Sequence, residues 1–172
     1  MAAPAILKRL AVDSNILFDL AAESDFAHTF IEVFQERGYS IKVPPTAIQE
    51  VTFIAFERPA RTATEISERG LACIALKKML SWGLMPFDLI PVGHGITEQF
   101  VNKLQNLGHL PDDEFNDGLI LAETSLACVP VLLTNDTHLT SIDSTQLRIC
   151  FESADLMPVI VTRPGTMLRA VR

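Results

Sequence analysis

Short apolar runs alternate with segments of helical period along this chain, and that alternation limits what it can fold into. Ile6 to Val12 is a buried-strand pattern that runs into Asp13-Ser14-Asn15 and then a helix at about Ile16–Ala22. A polar break at Ser24-Asp25 opens a second helix with Phe26, Phe30, Val33 and Phe34 at helical spacing, closed by Gly38. Ile41-Lys42-Val43 before Pro44-Pro45 reads as a strand, and Thr46 as the N-cap of a helix through Ala55 that Pro59 stops. Ala63 to Trp82 reads as a helix interrupted at Gly70 and ended near Gly83, and Asp88 to Val92 as a third strand. Thr97 to Leu107 and Asp113 to Cys128 are helical, Val131 to Thr134 is a strand, and Ser144 to Leu156 is a helix. Val159 to Thr162 is a last strand, and Gly165 to Val171 a closing helix. Short apolar strands separated by helices imply an α/β chain, three layers α/β/α, with a central and mainly parallel sheet.

At 172 residues, with no linker-like stretch and no internal repeat, residues 1–172 are expected to form one domain. Cys73, Cys128 and Cys150 are an odd number with no CxxC pair, which argues against a disulfide framework or a zinc knuckle and favours a reducing, cytoplasmic setting. Lys8 and Arg9 interrupt the first apolar stretch, and Glu123 and Pro130 break the longest one, so neither a signal peptide nor a membrane span is expected. Fourteen Lys and Arg against 21 Asp and Glu leave a net charge of −7, which supplies no electrostatic footprint for nucleic acid.

The acids acquire meaning from where they fall. Ligands of open α/β sheets bind outside the carboxyl ends of the strands, and two strands here end alike, Leu10-Ala11-Val12 in Asp13 and Leu132-Leu133-Thr134 in Asn135-Asp136. Either Asp alone also serves as a turn former or helix N-cap. Glu50 sits in the first turns of the helix after the second strand, and Asp117 lies one turn inside a helix, beside Phe115, Leu119 and Ile120, where Asp has poor propensity. Asp13, Glu50, Asp117 and Asp136 can therefore meet in one crevice, where their repulsion calls for a cation. Carboxylate oxygens suit Mg²⁺ or Mn²⁺, and such ions support phosphoryl chemistry.

LAVDSNILFDL at the start, the acid in AIQEV, the run EFNDGLILAE and the strand end VLLTND resemble, in order, the four signature regions of PIN domains, a family of metal-dependent ribonucleases. PVIVTRPGTML is similar to the family's closing strand and helix, so the resemblance covers about residues 8–170. It implies metal-binding, catalytic acids at Asp13, Glu50, Asp117 and Asp136, with Asn15 and Thr134 as supporting polar groups. Asp113 is either an extra acid of the site or a helix N-cap. The resemblance further implies hydrolysis of RNA phosphodiesters to a 5′-phosphate and a 3′-hydroxyl, with Mg²⁺ or Mn²⁺ as cofactor. Many bacterial members are VapC-type toxins, so an antitoxin protein and a homodimer are partners the resemblance allows, beside the RNA substrate.

Haloacid-dehalogenase-type phosphatases also begin with a strand and an Asp, but they need a second Asp two residues later, where this chain has Asn15. A receiver domain needs a Lys after a late strand, and the last lysine here is Lys103. The alternative of another class is a non-catalytic PIN-like module that binds RNA or a protein, which the net acidity favours and the complete set of four acids opposes. His138, two residues after Asp136, reads as a surface turn residue, and Arg58, Arg61, Lys77 and Lys78 as solvated helix faces.

Overall fold

Leu10, Ala11 and Val12 lose all contact with solvent, and they form the middle strand of the sheet. In the computed structural model, which describes residues 8–88 and 94–171, this strand is β1 (Arg9–Val12). Its neighbours are β2 (Ser40–Val43) on one side and β4 (Val131–Leu133) on the other. Beyond them lie β3 (Leu84–Pro86) and β5 (Ile160–Thr162), so the order is β3-β2-β1-β4-β5, with every pairing parallel. The strand order reverses between β1 and β4, which opens a crevice at their carboxyl ends. Ala11 pairs with Leu132 and Val12 with Leu133, and the register continues outward as the Asp13 N–H donates to the Leu133 carbonyl at 3.0 Å. The ends of these two strands, 121 residues apart in sequence, are thereby locked side by side.

Helices cover both faces, as the apolar strands require. They are α1 (Ser14–Ala21), α2 (Asp25–Glu36), α3 (Pro45–Phe56), α4 (Ala63–Lys78), α5 (His94–Asn106), α6 (Phe115–Leu126), α7 (Thr137–Thr140), α8 (Ser144–Glu152) and α9 (Pro164–Ala170). Phe100 of α5 stacks on Phe151 of α8 with ring centroids 4.6 Å apart, and Phe30 and Phe34 pair within α2 at 4.5 Å. No helix among the described residues is long and apolar enough to cross a membrane.

The fold differs from several local expectations. A strand not expected from the sequence is Leu84–Pro86, and the strand expected at Asp88–Val92 falls, after Asp88, outside the described residues. Leu84 is wholly buried against the sheet, and Pro86 is tolerated because β3 is an edge strand that needs fewer N–H donors. Asp88 follows that strand, and residues 89–92 lie outside the described residues, as do Ile6 and Leu7 of the first apolar run. Gly70 does not interrupt α4, which a Thr62–Glu65 capping box starts and which continues to Lys78. Thr46 is not an N-cap, because α3 begins one residue earlier on Pro45, whose fixed φ suits the first helical position. The Thr46 N–H and hydroxyl instead donate to the two Glu123 oxygens, at 3.0 and 2.6 Å, and clamp α3 to α6. Finally, α7 is a one-turn helix with no apolar period long enough to read from sequence.

Gly118 sets how closely α5 and α6 approach. A Cβ there would lie 2.8 Å from both methyl carbons of buried Val101, whose β-branched side chain cannot swing away. Gly118→Ala is expected to lower stability by about 1–3 kcal/mol despite the better helix propensity of Ala. Adding Val101→Ala should recover part of the loss, as read from urea-unfolding midpoints.

Candidate metal centre at the switch point

Asp13 leaves β1 in an extended conformation and caps α1. Oδ1 accepts from the Ser14 N–H at 2.6 Å, while Oδ2 accepts from the Asn15 amide and the Thr134 hydroxyl, both at 2.8 Å. The bland role and the functional placement therefore coincide: the cap holds the carboxylate at the crevice. Burial raises the Asp13 pKa, the Thr134 and Ser14 donors pull it back, and Asp136 pushes it up further, with the net shift upward.

Thr134 is wholly buried and is the hub of the cluster. Its hydroxyl donates to Asp13 and accepts from the Asn15 amide at 2.9 Å and from the Asp136 N–H at 2.9 Å. Asn15 closes the ring, because its Oδ1 accepts from the Asn135 N–H at 3.2 Å. Asp136 caps α7, with Oδ1 accepting from the His138 N–H at 2.6 Å.

The other two acids come from helices. Glu50 lies in the second turn of α3, half-buried, and its pKa is raised first by burial and then by Asp13 and Glu114, against hydrogen bonds from Ser14 and Asn116. Asp117 lies in the first turn of α6 with 8% of its surface exposed, and its Oδ2 has no hydrogen-bond partner. Burial, followed by the charges of Asp13, Asp136, Glu114 and Glu50, pushes its pKa up to about 8. The positive end of α6 is too weak to offset four acids.

Asp13, Asp136 and Glu50 all act on Asp117, Asp136 acts on Asp13 and Asp13 on Glu50, so the structure gathers the four acids electrostatically around Asp117, although among them only Asp117 belongs to a group of ligand atoms within 4.8 Å of one another. Asp113 is exposed, and the neighbouring Glu114, not Asp113, is the acid that acts on both Asp117 and Glu50. Nor is Asp113 a cap, since Glu114 takes the N-cap position of α6 without a side-chain cap bond. His138 is exposed as a turn residue would be, yet its Nδ1 lies 3.1 Å from Glu114 Oε1. Glu114, Asp117 and His138 bring one ligand atom each within 4.8 Å of one another. Sequence reasoning did not single out Glu114, although it precedes Asp117 by three residues and so shares its helical face. Such a group of carboxylates and one imidazole can bind a divalent cation, and its unpartnered buried oxygen is the acceptor a cation would satisfy.

No family model and no curated protein sequence matches the chain. A chain in the crystal structure of VapBC2 from Rickettsia felis, bound to a DNA fragment from their promoter, aligns with a TM-score of 0.56. The alignment covers 90% of this chain and 98% of that one at 14% identity. The fold is PIN-like. FitAcB from Neisseria gonorrhoeae aligns at a TM-score of 0.49 and 14% identity, over 91% of this chain and 98% of that one. FitAB bound to an IR36 DNA fragment aligns at 0.48 and 13%, over 90% and 94%. The PIN-like order of elements is what delivers β1, α3, α6 and the β4–α7 turn to one edge of the sheet.

Proposed function

We propose that the chain is a divalent-metal-dependent endoribonuclease with Asp13, Glu50, Asp117 and Asp136 as its metal-binding and catalytic acids. The observation that carries this reading is Asp117: a carboxyl with an unpartnered buried oxygen, made hard to ionise first by its burial and then by four acids around it. A protein gains nothing in stability from such an arrangement, and a bound cation relieves it. The donors are carboxylate oxygens with one imidazole near, which fits Mg²⁺ or Mn²⁺. When bound, the ion supplies the positive charge that a phosphodiester under hydrolysis requires.

The chain's own residues prepare the site. Ser14, Asn15 and Thr134 hold Asp13 in one orientation, so no rotamer search precedes binding. Asn116 and Ser14 lie beside Glu50 and favour its charged form. Asp117 keeps a proton near neutral pH and surrenders it on cation binding, which makes affinity rise with pH. Asn15 and Thr134 are supporting groups in this reading, Glu114 and His138 extend the donor set, and Asp113 stands outside it on the solvent side.

The likeness in fold to VapBC2 supports a toxin-type reading with an antitoxin protein as partner; a homodimeric assembly acting on RNA in the cytoplasm completes the proposal. The test is a panel of labelled single-stranded and structured RNAs incubated with the purified protein in Mn²⁺ or EDTA. Cleavage in Mn²⁺, absent in EDTA and lost in Asp13→Asn, is the expected result. No cleavage across the panel, together with no divalent binding by calorimetry, would replace this reading with the non-catalytic binding module.

A further inference from the structure

Beside the acids lies a groove of about 510 Å³, within the roughly 300–1,000 Å³ span of small-ligand sites. Ser14, Glu50 and Asn116 form the wall it shares with the metal centre, where the Ser14 and Asn116 side chains lie near enough to Glu50 to lower its pKa. Gln49, Phe53 and Arg58 form the rest of the lining used here. Phe53 follows Glu50 by three residues and Gln49 by four, which puts all three on one face of α3. Val51 and Ala55 supply the buried face of the same helix, so Phe53 is surplus to the core and keeps 48% of its surface exposed.

We infer that this groove seats an unpaired nucleobase of single-stranded RNA on the ring of Phe53, next to the phosphodiester held at the acids; the inference rests on the ribonuclease reading. A chain bound at the metal centre extends across the shared wall into the groove, where its neighbouring base meets an exposed aromatic face. Stacking on such a face is tolerant of base identity. Gln49 and Asn116 line the same groove and add amide donors and acceptors that a base edge can use. Arg58, already hydrogen-bonded to Glu68, presents a guanidinium whose fork of donors suits a phosphate at the far end. Duplex RNA keeps its bases stacked inside the helix and cannot offer one to Phe53.

The test compares Phe53→Ala, Phe53→Leu and Phe53→Trp with the unsubstituted protein in Mn²⁺, using a single-stranded RNA cleaved by the latter. It adds the same RNA carrying one abasic nucleotide beside the cleaved bond, on either side in turn. Phe53→Ala and Phe53→Leu are expected to raise KM by about 5- to 100-fold with little change in kcat, the range of base–aromatic stacking, while Phe53→Trp keeps the KM of the parent. On one side, the abasic RNA should be cleaved worse by the parent but no worse than intact RNA by Phe53→Ala, because the partner of the lost ring is already gone. Fluorescence anisotropy of labelled single-stranded RNA with Asp117→Asn, with and without Phe53→Ala, should show the same loss without catalysis. Phe53→Leu with the parent's KM, or equal penalties for the abasic RNA in parent and Phe53→Ala, overturns the inference and leaves the ribonuclease reading standing. An unsubstituted protein that neither binds nor cleaves any RNA overturns both, and capture of a peptide partner by the same groove, competing with no RNA, overturns the inference alone.

Discussion

Asp117→Asn is expected to lower Mn²⁺-dependent RNA cleavage by roughly 100-fold or more, the scale for losing a group that holds a catalytic metal. The same change should stabilise the metal-free protein at alkaline pH. The physical reason is the cost of ionising Asp117 where it is buried, and among Asp13, Asp136, Glu114 and Glu50. Its pKa stands at 3.8 in an unconstrained chain and at about 8 in the fold, so between these values the folded state holds a proton that the unfolded state has lost. Stability contributed by this group is present in full below the lower value and disappears as pH rises through the upper one. Asp13 and Glu50 are shifted in the same direction and add to the slope. An isosteric, uncharged Asn removes the largest part of it. If relief amounts to roughly 2 kcal/mol, the melting temperature in EDTA at about pH 8.5 rises by about 4–8 °C. Near pH 5 the difference should shrink. A variant that loses activity yet melts with the parent's pH dependence would show that Asp117 does not carry the repulsion assigned to it. Saturating Mn²⁺ should flatten the slope in the parent protein, because the ion takes over the compensation that the proton provides when metal is removed.

Thr134→Val is the second large effect, and it reaches the site without removing an acid. Valine has nearly the shape of threonine, so packing survives while the hydroxyl that joins Asp13, Asn15 and Asp136 is deleted. One substitution leaves the Asp13 Oδ2 short of a donor and both the Asn15 amide and the Asp136 N–H short of an acceptor. We expect divalent-cation affinity to fall by about 10–100-fold, as for other groups that orient metal ligands. Stability should fall by about 1–3 kcal/mol, the cost of buried polar groups left unsatisfied. Thr134→Ser keeps the hydroxyl and should stay close to the parent in calorimetric Mn²⁺ titration. Equal losses in Val and Ser variants would mean that the threonine methyl, and so packing, explains the effect.

Much of this arrangement was readable before any coordinates, and the residues show why. β1 and β4 announce themselves because three or four consecutive apolar residues closed by a polar turn have few other homes than a buried parallel strand. Asp13 and Asp136 are then placed by chain continuity alone. Asp117 stood out through its apolar neighbours and poor helix propensity. β3 is hard to read from sequence because Leu84-Met85-Pro86 carries one inward residue and a proline, a pattern that an edge strand accepts but that gives no strand period. Thr46 looked like a cap because its type suits one. What employs its donors is Glu123, 77 residues away, and no local rule reports that.

The amino-acid sequence by itself determined the alternation of strand and helix, the parallel sheet that follows from it, and the strand ends at which two of the acids must fall. Those features depend on local propensity and on the need to bury short apolar runs, and both are properties of neighbouring residues. Tertiary structure alone decided that Glu114 and His138 gather beside Asp117, that Asp113 lies exposed, and that Asp117 resists ionisation up to about pH 8. A pKa depends on distance to other charges and on the loss of water around the group. Here both are set by segments that only the packed sheet and its helices bring within a few ångströms of one another.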